Sequence, residues 1–493
     1  MKKINIKLFI YMFIISLICI TICSKNSFFY CFNDWEDENA FMTVARGWIN
    51  GLIPYRDLFE QKGPFLYLIF VFANLISKTS FIGVYILEII SMTITLYIAS
   101  KIIKMYLDEK CVYFILPLYC SIIASSIFFV HGGSAEEFSL PFFSYGLYQL
   151  LIFFRKNEIT SKQIFIQGLC AGIISMIKFN LLGFYIGFCL SIGITFIISK
   201  KYKELFKKSF LFLIGMFIPI IIFIIYFLLN DALNEFIDAY IVYNTNNYNM
   251  KLIFPLKIIK SFLLFCMALF NNKIIMVLII VGVLRFLTEN KISKEKNKKY
   301  LFFVTFILSF IGIYYGGITY NYYFLFMLPY MLFGLIIIFE IVSKINKKAY
   351  LVVFFISIIL SGITLVFSPN ISFSKFHKED LVQYKYASII GTKENSTLLN
   401  YGFLDGGFYM ASNKIPNIRY FERQNGYMSD YEAFIKSEID NKKIDYIVIM
   451  NYNKDEKGPG FIEEKYNLIS SEMQEYENEK CYFLLYEIKE GDL

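Results

Sequence analysis

The chain has 493 residues, of which 57% are hydrophobic and 19% aromatic, with a formal charge of +8. Soluble domains are roughly 45–50% apolar, so this composition, at a mean hydropathy of +0.53, excludes an ordinary soluble enzyme and indicates a polytopic α-helical membrane protein. The basic excess lies in short loops between apolar runs, which is the positive-inside pattern and not a nucleic-acid footprint. Nine Cys lie mostly inside apolar runs without a CxxC pair, and the two His are too few for a His-based metal centre.

Met1, Lys2, Lys3 and Lys7 precede an apolar run from Leu8 to about Cys23. The run lacks a clear small-residue cleavage site, so it reads as an uncleaved first transmembrane helix with its N-terminus in the cytoplasm. The polar stretch from Asn33 to Lys62 then lies outside. It carries five acidic residues between Asp34 and Asp57, followed by Glu60 and Lys62. Asn33 and Asp34 each stand three residues before an acid, Glu36 and Asp37, as in a capping box. Phe41, Val44, Ala45, Trp48, Ile49 and Leu52 follow at helical spacing. They predict an amphipathic helix lying on the bilayer surface, ended by Gly51 and Pro54. Tyr55-Arg56-Asp57 is a polar bend, and Gln61-Lys62-Gly63-Pro64 opens a second apolar segment, with Lys62 at its mouth.

Asp37-Glu38, then Ala45-Arg46, Pro54-Tyr55 and Lys62-Gly63-Pro64-Phe65-Leu66-Tyr67, resemble the first-loop signature of the membrane-embedded GT-C glycosyltransferases. The branch is that of the bacterial protein O-mannosyltransferases and aminoarabinose transferases. Gly63 replaces the first Pro of the usual Lys-Pro-Pro-Leu motif, and Ala40 stands where aminoarabinose transferases carry an Arg, which argues against that donor sugar. The resemblance covers residues 30–70 well and the rest of the membrane part loosely. It implies a polyprenyl-phosphate-linked sugar donor and an inverting single displacement. Some relatives use a divalent metal and others do not, so the resemblance leaves a divalent cation open and names no other cofactor.

Pro64 to Ile76 is short for a span and reads as a re-entrant or surface helix. Later spans are expected at about 81–100, 111–130, 138–154, 164–177, 181–199 and 210–229. A single span at about 274–287 follows an external surface helix, and spans at about 301–315, 323–341 and 350–367 complete the set. The total is about eleven, with basic residues such as Lys347 and Lys348 on the cytoplasmic side and the C-terminus outside. Residues 1–367 form the membrane domain, with its first external loop at 33–62, and 368–493 a small extracytoplasmic α/β domain. The latter shows apolar stretches at Thr397–Tyr401, Tyr446–Met450 and Cys481–Tyr486, and a polar helix at Tyr431–Ile439. Gly402-Phe403-Leu404-Asp405-Gly406-Gly407 reads as a structural turn.

Sugar transfer from a polyprenyl phosphate needs a carboxylate to take the acceptor's proton and a cation to meet the leaving phosphate. By the family motif, Asp37 is the base and Glu38 its partner; Glu136 or Glu137, after the His131-Gly132-Gly133 turn, offers a second external acid. Lys62 is the first candidate for the donor phosphate, with Arg56 and Lys178 behind it. Tyr55, Asn321 and Tyr322 are candidates for acceptor contacts or loop structure, with Asn321 where relatives often carry a His. The expected partners are the lipid bilayer, the polyprenyl-phosphate sugar and an envelope acceptor (glycan, lipid or protein). A transporter or flippase is the alternative. It needs charged residues within spans, and only Glu88 and Glu340 stand out.

Overall fold

The computed structural model describes residues 5–345, 350–393, 395–476 and 479–489. Lys2, Lys3, Lys347 and Lys348, used above for orientation, lie outside the described residues. In chain order the helices begin with α1 (Ile6–Cys23), α2 (Glu36–Ile49), α3 (Pro64–Ile76), α4 (Ile82–Tyr106), α5 (Val112–Ala124), α6 (Ala135–Lys156) and α7 (Ser161–Ile177). Next come α8 (Gly183–Ile198), α9 (Tyr202–Leu229), α10 (Leu233–Phe236), α11 (Asn244–Asn247), α12 (Phe254–Asn271), α13 (Lys273–Thr288) and α14 (Lys296–Tyr314). The last are α15 (Met331–Ile345), α16 (Tyr350–Val366), α17 (Val382–Ile390), α18 (Phe408–Ala411), α19 (Tyr431–Asp440) and α20 (Gly460–Glu463).

The chain gathers into two units, each drawn from three segments. The first comprises Met1–Ser27, Tyr85–Ile225 and Asn249–Ser372. It is a bundle of apolar helices. Over the whole described chain, six helices are long and apolar enough to cross a membrane, or seven if the bent pair Val352–Val366 and Pro369–Lys375 is one span. This is a multi-pass membrane chain, but length and composition alone do not give the eleven crossings expected. The 13-residue α5, with Pro117 inside it, is only about 20 Å long, against a hydrocarbon core of about 30 Å. The fourth expected span, α6, carries Glu136 and Glu137 in its first turn and Arg155 and Lys156 in its last. The region expected to hold a surface helix and one span is two consecutive helices, and the first, α12, is itself long and apolar enough to cross. Packing in this unit is close: a Cβ on Gly183 would lie 2.2 Å from Leu308 O, so α8 and α14 meet backbone to backbone there.

The second unit comprises Phe28–Val84, Tyr226–Tyr248 and Phe373–Leu493. Its sheet has the order β1-β2-β4-β3, with β1 (Leu398–Tyr401), β2 (Tyr446–Asn451), β3 (Tyr466–Tyr476) and β4 (Glu479–Ile488). β1 and β2 are parallel, with Leu398 opposite Tyr446, while β4 runs antiparallel to both β2 and β3. Leu399, Ile447 and Leu484 of the sheet form a core with Ile435 and Ile439 of α19. This is the small α/β assembly that the apolar stretches predict.

Helix α2 departs from expectation in two ways. Trp35 stands at its N-cap without a side-chain cap hydrogen bond. Asn33 instead accepts from Trp35 N at 3.0 Å and donates to Glu38, so the residue expected to cap the helix fastens its first turn from outside. Nor does the helix lie on a surface with one face covered. Every residue from Glu38 to Gly47 is buried. Asn74 of α3 reaches Met42 on one side. On the other, Thr43 bonds Asp405 at 2.6 Å, and Arg46 bonds Tyr409 O at 3.2 Å and Asn413 at 2.6 Å. The polar positions between the apolar ones are therefore used for contacts within the unit.

Candidate functional site

Two acid–lysine clusters stand out, one in each unit. In the second unit, Asp37 in the first turn of α2 faces Lys62 Nζ at 3.6 Å. The two side chains are 17% and 10% exposed, so the pair is reachable but largely out of water. Lys62 also lies 3.9 Å from Glu60 and 5.4 Å from the centre of the Phe41 ring. The loop that presents Lys62 is held from several sides. Lys62 N donates to Glu60 Oε2 at 2.8 Å and to Tyr67 Oη at 3.0 Å, while Tyr67 Oη donates to the same carboxylate oxygen. Burial pushes the Glu60 carboxyl above its ordinary range, and Lys62 and Tyr67 oppose that shift. Tyr55 adopts a left-handed backbone at φ 70°, uncommon for a bulky residue. Its ring is fully buried, and its hydroxyl donates to Lys62 O at 2.7 Å. Tyr55 thus anchors the loop from below.

Glu38 is buried beside Asp37 and receives the Asn33 amide. Arg56 is turned to its neighbour: Nε and one terminal nitrogen each donate to Asp57 at 2.9 Å, and the other donates to Asn230 O at 2.7 Å. That pairing holds Asp57 below its usual range.

The first unit holds the second cluster. Glu136 and Glu137 occupy the first turn of α6, where Ser134 Oγ accepts from Glu137 N at 3.1 Å. Lys178, at the C-cap of α7, donates to Glu136 Oε1 at 2.6 Å. An acid at a helix start facing a cation at a helix end suits both helix dipoles. The Lys178 ammonium lies 3.6 Å from the Tyr323 ring centre and 5.2 Å from that of Tyr322. Glu136 Oε2 is buried and has no hydrogen-bond partner among the described residues. Asn321 opens the helical turn that carries both tyrosines, and it is exposed.

Behind this pair, Gly133 N donates to Glu137 at 3.0 Å and to Glu88 at 2.8 Å, and Ser24 Oγ donates to Glu88 at 2.8 Å. Gly132 adopts φ +97°, and a Cβ there would lie 2.3 Å from Ser24 Oγ, so the turn tolerates only glycine. Glu88 is therefore bound into the turn that starts α6.

The sequence named Asp37, Lys62, Glu136 and Lys178 as candidates, but not that they stand in two pairs. It gave no role to Glu60, Tyr67 or Tyr323. An acid two residues before Lys62 and a tyrosine five after it were the available signals for the first two. Asp405 reads in the sequence as part of a structural turn; the residue is fully buried, accepts from Thr43 and Gly407 N, and has its own N–H bound to Glu422 at 2.7 Å. Burial raises Asp405 to about 6 and pushes Glu422 upward too.

Among the described residues no group of three or more His, Cys, Asp or Glu stands close enough to hold an ion. Lys62 already supplies the positive charge beside Asp37.

The fold resembles that of solved GT-C glycosyltransferases. ArnT from Cupriavidus metallidurans bound to undecaprenyl phosphate aligns over 97% of this chain and 97% of its own, at 9% identity and a TM-score of 0.63. Its apo state aligns with the same values. The Archaeoglobus fulgidus oligosaccharyltransferase, in complex with Zn and sulfate, aligns over 89% of this chain and 67% of its own, at 11% identity and a TM-score of 0.51. No known family profile and no curated protein matches the sequence. At such identities the likeness is one of fold alone.

Proposed function

We propose that the chain is a glycosyltransferase that moves a sugar from a polyprenyl-phosphate-linked donor to an envelope acceptor at the outer face of the membrane. The observation that carries this reading is the Asp37–Lys62 pair at 3.6 Å, built from the two motifs of one loop and set in this fold. The ArnT relative was solved with undecaprenyl phosphate, which supports the donor class.

In the free enzyme Lys62 neutralises Asp37. The donor phosphodiester carries one negative charge, as Asp37 does, and gains a second as the polyprenyl phosphate leaves; sharing the Lys62 ammonium with it frees Asp37 to act as base. Asp37 takes the proton as the acceptor oxygen bonds to the anomeric carbon. The carbon–oxygen bond to phosphate breaks on the opposite face, inverting the centre, and Lys62 meets the charge left on the phosphate. Glu60, Tyr67 and Tyr55 hold the loop so that Lys62 keeps this reach. Glu136 and Lys178 offer a second acid and cation; the Glu136 oxygen without a protein partner is suited to a substrate hydroxyl. In this reading about eleven segments cross the bilayer, the N-terminus is cytoplasmic, and residues 368–493 lie outside. Site-directed cysteine labelling from each side tests that orientation. Glu88 and Glu340, the residues a transport reading would use, are engaged by Ser24 and Gly133 and by Lys291.

The deciding experiment compares wild type and Lys62→Ala for binding to a panel of polyprenyl-phosphate sugars. Saturable binding weakened about tenfold or more in the variant, the scale of a lost charge-assisted hydrogen bond, supports the reading. No binding by folded wild type to any member overturns it in favour of transport or scaffolding.

A further inference from the structure

The membrane unit has polar features at both ends of its helices. Lys298 Nζ donates to Phe154 O at 3.1 Å, near the C-terminal end of α6, while Glu136 lies in its first turn. At ~1.5 Å per residue the two positions are about 27 Å apart along the helix. Lys291 Nζ donates to Tyr106 O at 3.0 Å, where α4 ends, equally far along α4 from Glu88. The Lys-rich segment 291–299 thus marks the opposite end of this unit from Glu88, Glu136 and Lys178, at a separation close to a hydrocarbon core of about 30 Å.

At that far end lies a small open cleft of about 60 Å³, room for a phosphate group but not for a whole small ligand. Phe286, Phe333 and Ile336 form an apolar wall, and Tyr106, Arg285 and Asn290 bring polar groups. Most other charges around it are paired. Lys291 meets Glu340 at 3.0 Å, and Glu289 accepts from Lys291 N at 2.6 Å and from Ile292 N at 3.4 Å. Lys299 reaches the cavity edge through Asn290 Oδ1 at 3.0 Å. Arg285 differs: its side chain is exposed and makes no ion pair or hydrogen bond among the described residues. The Tyr106 hydroxyl is buried and likewise has no hydrogen-bond partner among them. Among the lining residues Arg285 and Lys291 balance Glu289 and Glu340, so the positive excess comes from Lys299 at the edge and from Arg155, whose charge reaches Tyr106.

We propose that this cavity binds the headgroup of an anionic bilayer phospholipid, at the end of the helix bundle opposite Glu136 and Lys178. The phosphodiester lies between the Arg285 guanidinium and the Tyr106 hydroxyl, and an acyl chain follows the wall of Phe286, Phe333 and Ile336. Basic pockets between transmembrane helices commonly take lipid headgroups in this way. The proposal does not depend on the transferase reading, since none of these residues has a part in it.

The test is native mass spectrometry of the purified full chain with phosphatidylglycerol, phosphatidylcholine or inorganic phosphate. Wild type retains phosphatidylglycerol over phosphatidylcholine. Arg285→Ala weakens retention about tenfold or more, and Tyr106→Phe about fivefold, the scale of charge-assisted hydrogen bonds. Inorganic phosphate does not displace the lipid. Equal retention of both lipids, unchanged retention in folded variants, or full displacement by phosphate each overturns the proposal. Tyr106→Phe removes only one hydroxyl, so it decides the matter should Arg285→Ala fail to fold.

Discussion

The two acid–lysine pairs use the same residue types in opposite ways. Asp37 and Lys62 stand 3.6 Å apart, and the acid keeps 17% of its side chain exposed. Glu136 and Lys178 are 2.6 Å apart, with the acid 1% exposed and the lysine set over two tyrosine rings. A loose, reachable pair can be opened by a substrate; a tight, buried one chiefly holds two helix ends together. On the proposed reading the first pair is the one a substrate opens, while the second ties two helix ends and keeps one Glu136 oxygen for a substrate hydroxyl.

The comparison can be broken most sharply at Asp37. Asp37→Asn keeps the shape of the site and removes the base, so transfer should fall about 10²–10⁴-fold while donor binding remains. Activity within a few-fold of wild type would remove Asp37 from the chemistry.

The second pair should answer in stability. Lys178→Ala leaves Glu136 buried without its cation, a loss of about 3–5 kcal/mol, read by denaturant unfolding in detergent. Glu136→Gln combined with Lys178→Met removes both charges and should recover most of that loss. If Lys178→Ala unfolds like wild type, the pair is not structural.

Asp405 gives a pH test of the unit that holds α2. Its folded pKa is raised from 3.8 to about 6. The folded state therefore binds its proton more tightly than the unfolded chain. The corresponding stability is complete below about pH 4 and is lost as pH rises through about 6, by on the order of 3 kcal/mol. Asp405→Asn should flatten the stability profile across that window. An unchanged slope would place the titration elsewhere. The smallest effect is expected for Tyr323→Leu, which removes the ring facing Lys178 and should cost about 0.5–2 kcal/mol in the same unfolding assay.

Much of this was legible because it is local. Asp37 and Lys62 belong to two motifs of one stretch, so the family resemblance pointed to each of them, though not to their pairing. The apolar runs announced the membrane helices, and β1, β2 and β4 showed as short apolar stretches. Strand β3 did not, because Asn467, Ser470, Ser471, Glu472, Gln474 and Glu475 break any alternation and a bulge interrupts its register between Leu468 and Ser470. The surroundings of α2 were hidden for another reason. Its polar positions look solvated until Asp405, 362 residues later, is brought to Thr43. No periodicity within α2 encodes that partner. The Glu136–Lys178 pair was hidden in the same manner, its members standing 42 residues apart on different helices.

The second unit draws on Phe28–Val84, Tyr226–Tyr248 and Phe373–Leu493, and this has a bearing on its biosynthesis. The chain is made in order, at about 5–20 residues per second. The loop carrying Asp37 and Lys62 is therefore complete for roughly 15–60 seconds before synthesis reaches Phe373. Throughout that interval Thr43 and Arg46 have no Asp405, Tyr409 or Asn413 to bind. A ribosome stalled before Phe373 would leave every residue of the acid loop in place and α2 without one wall.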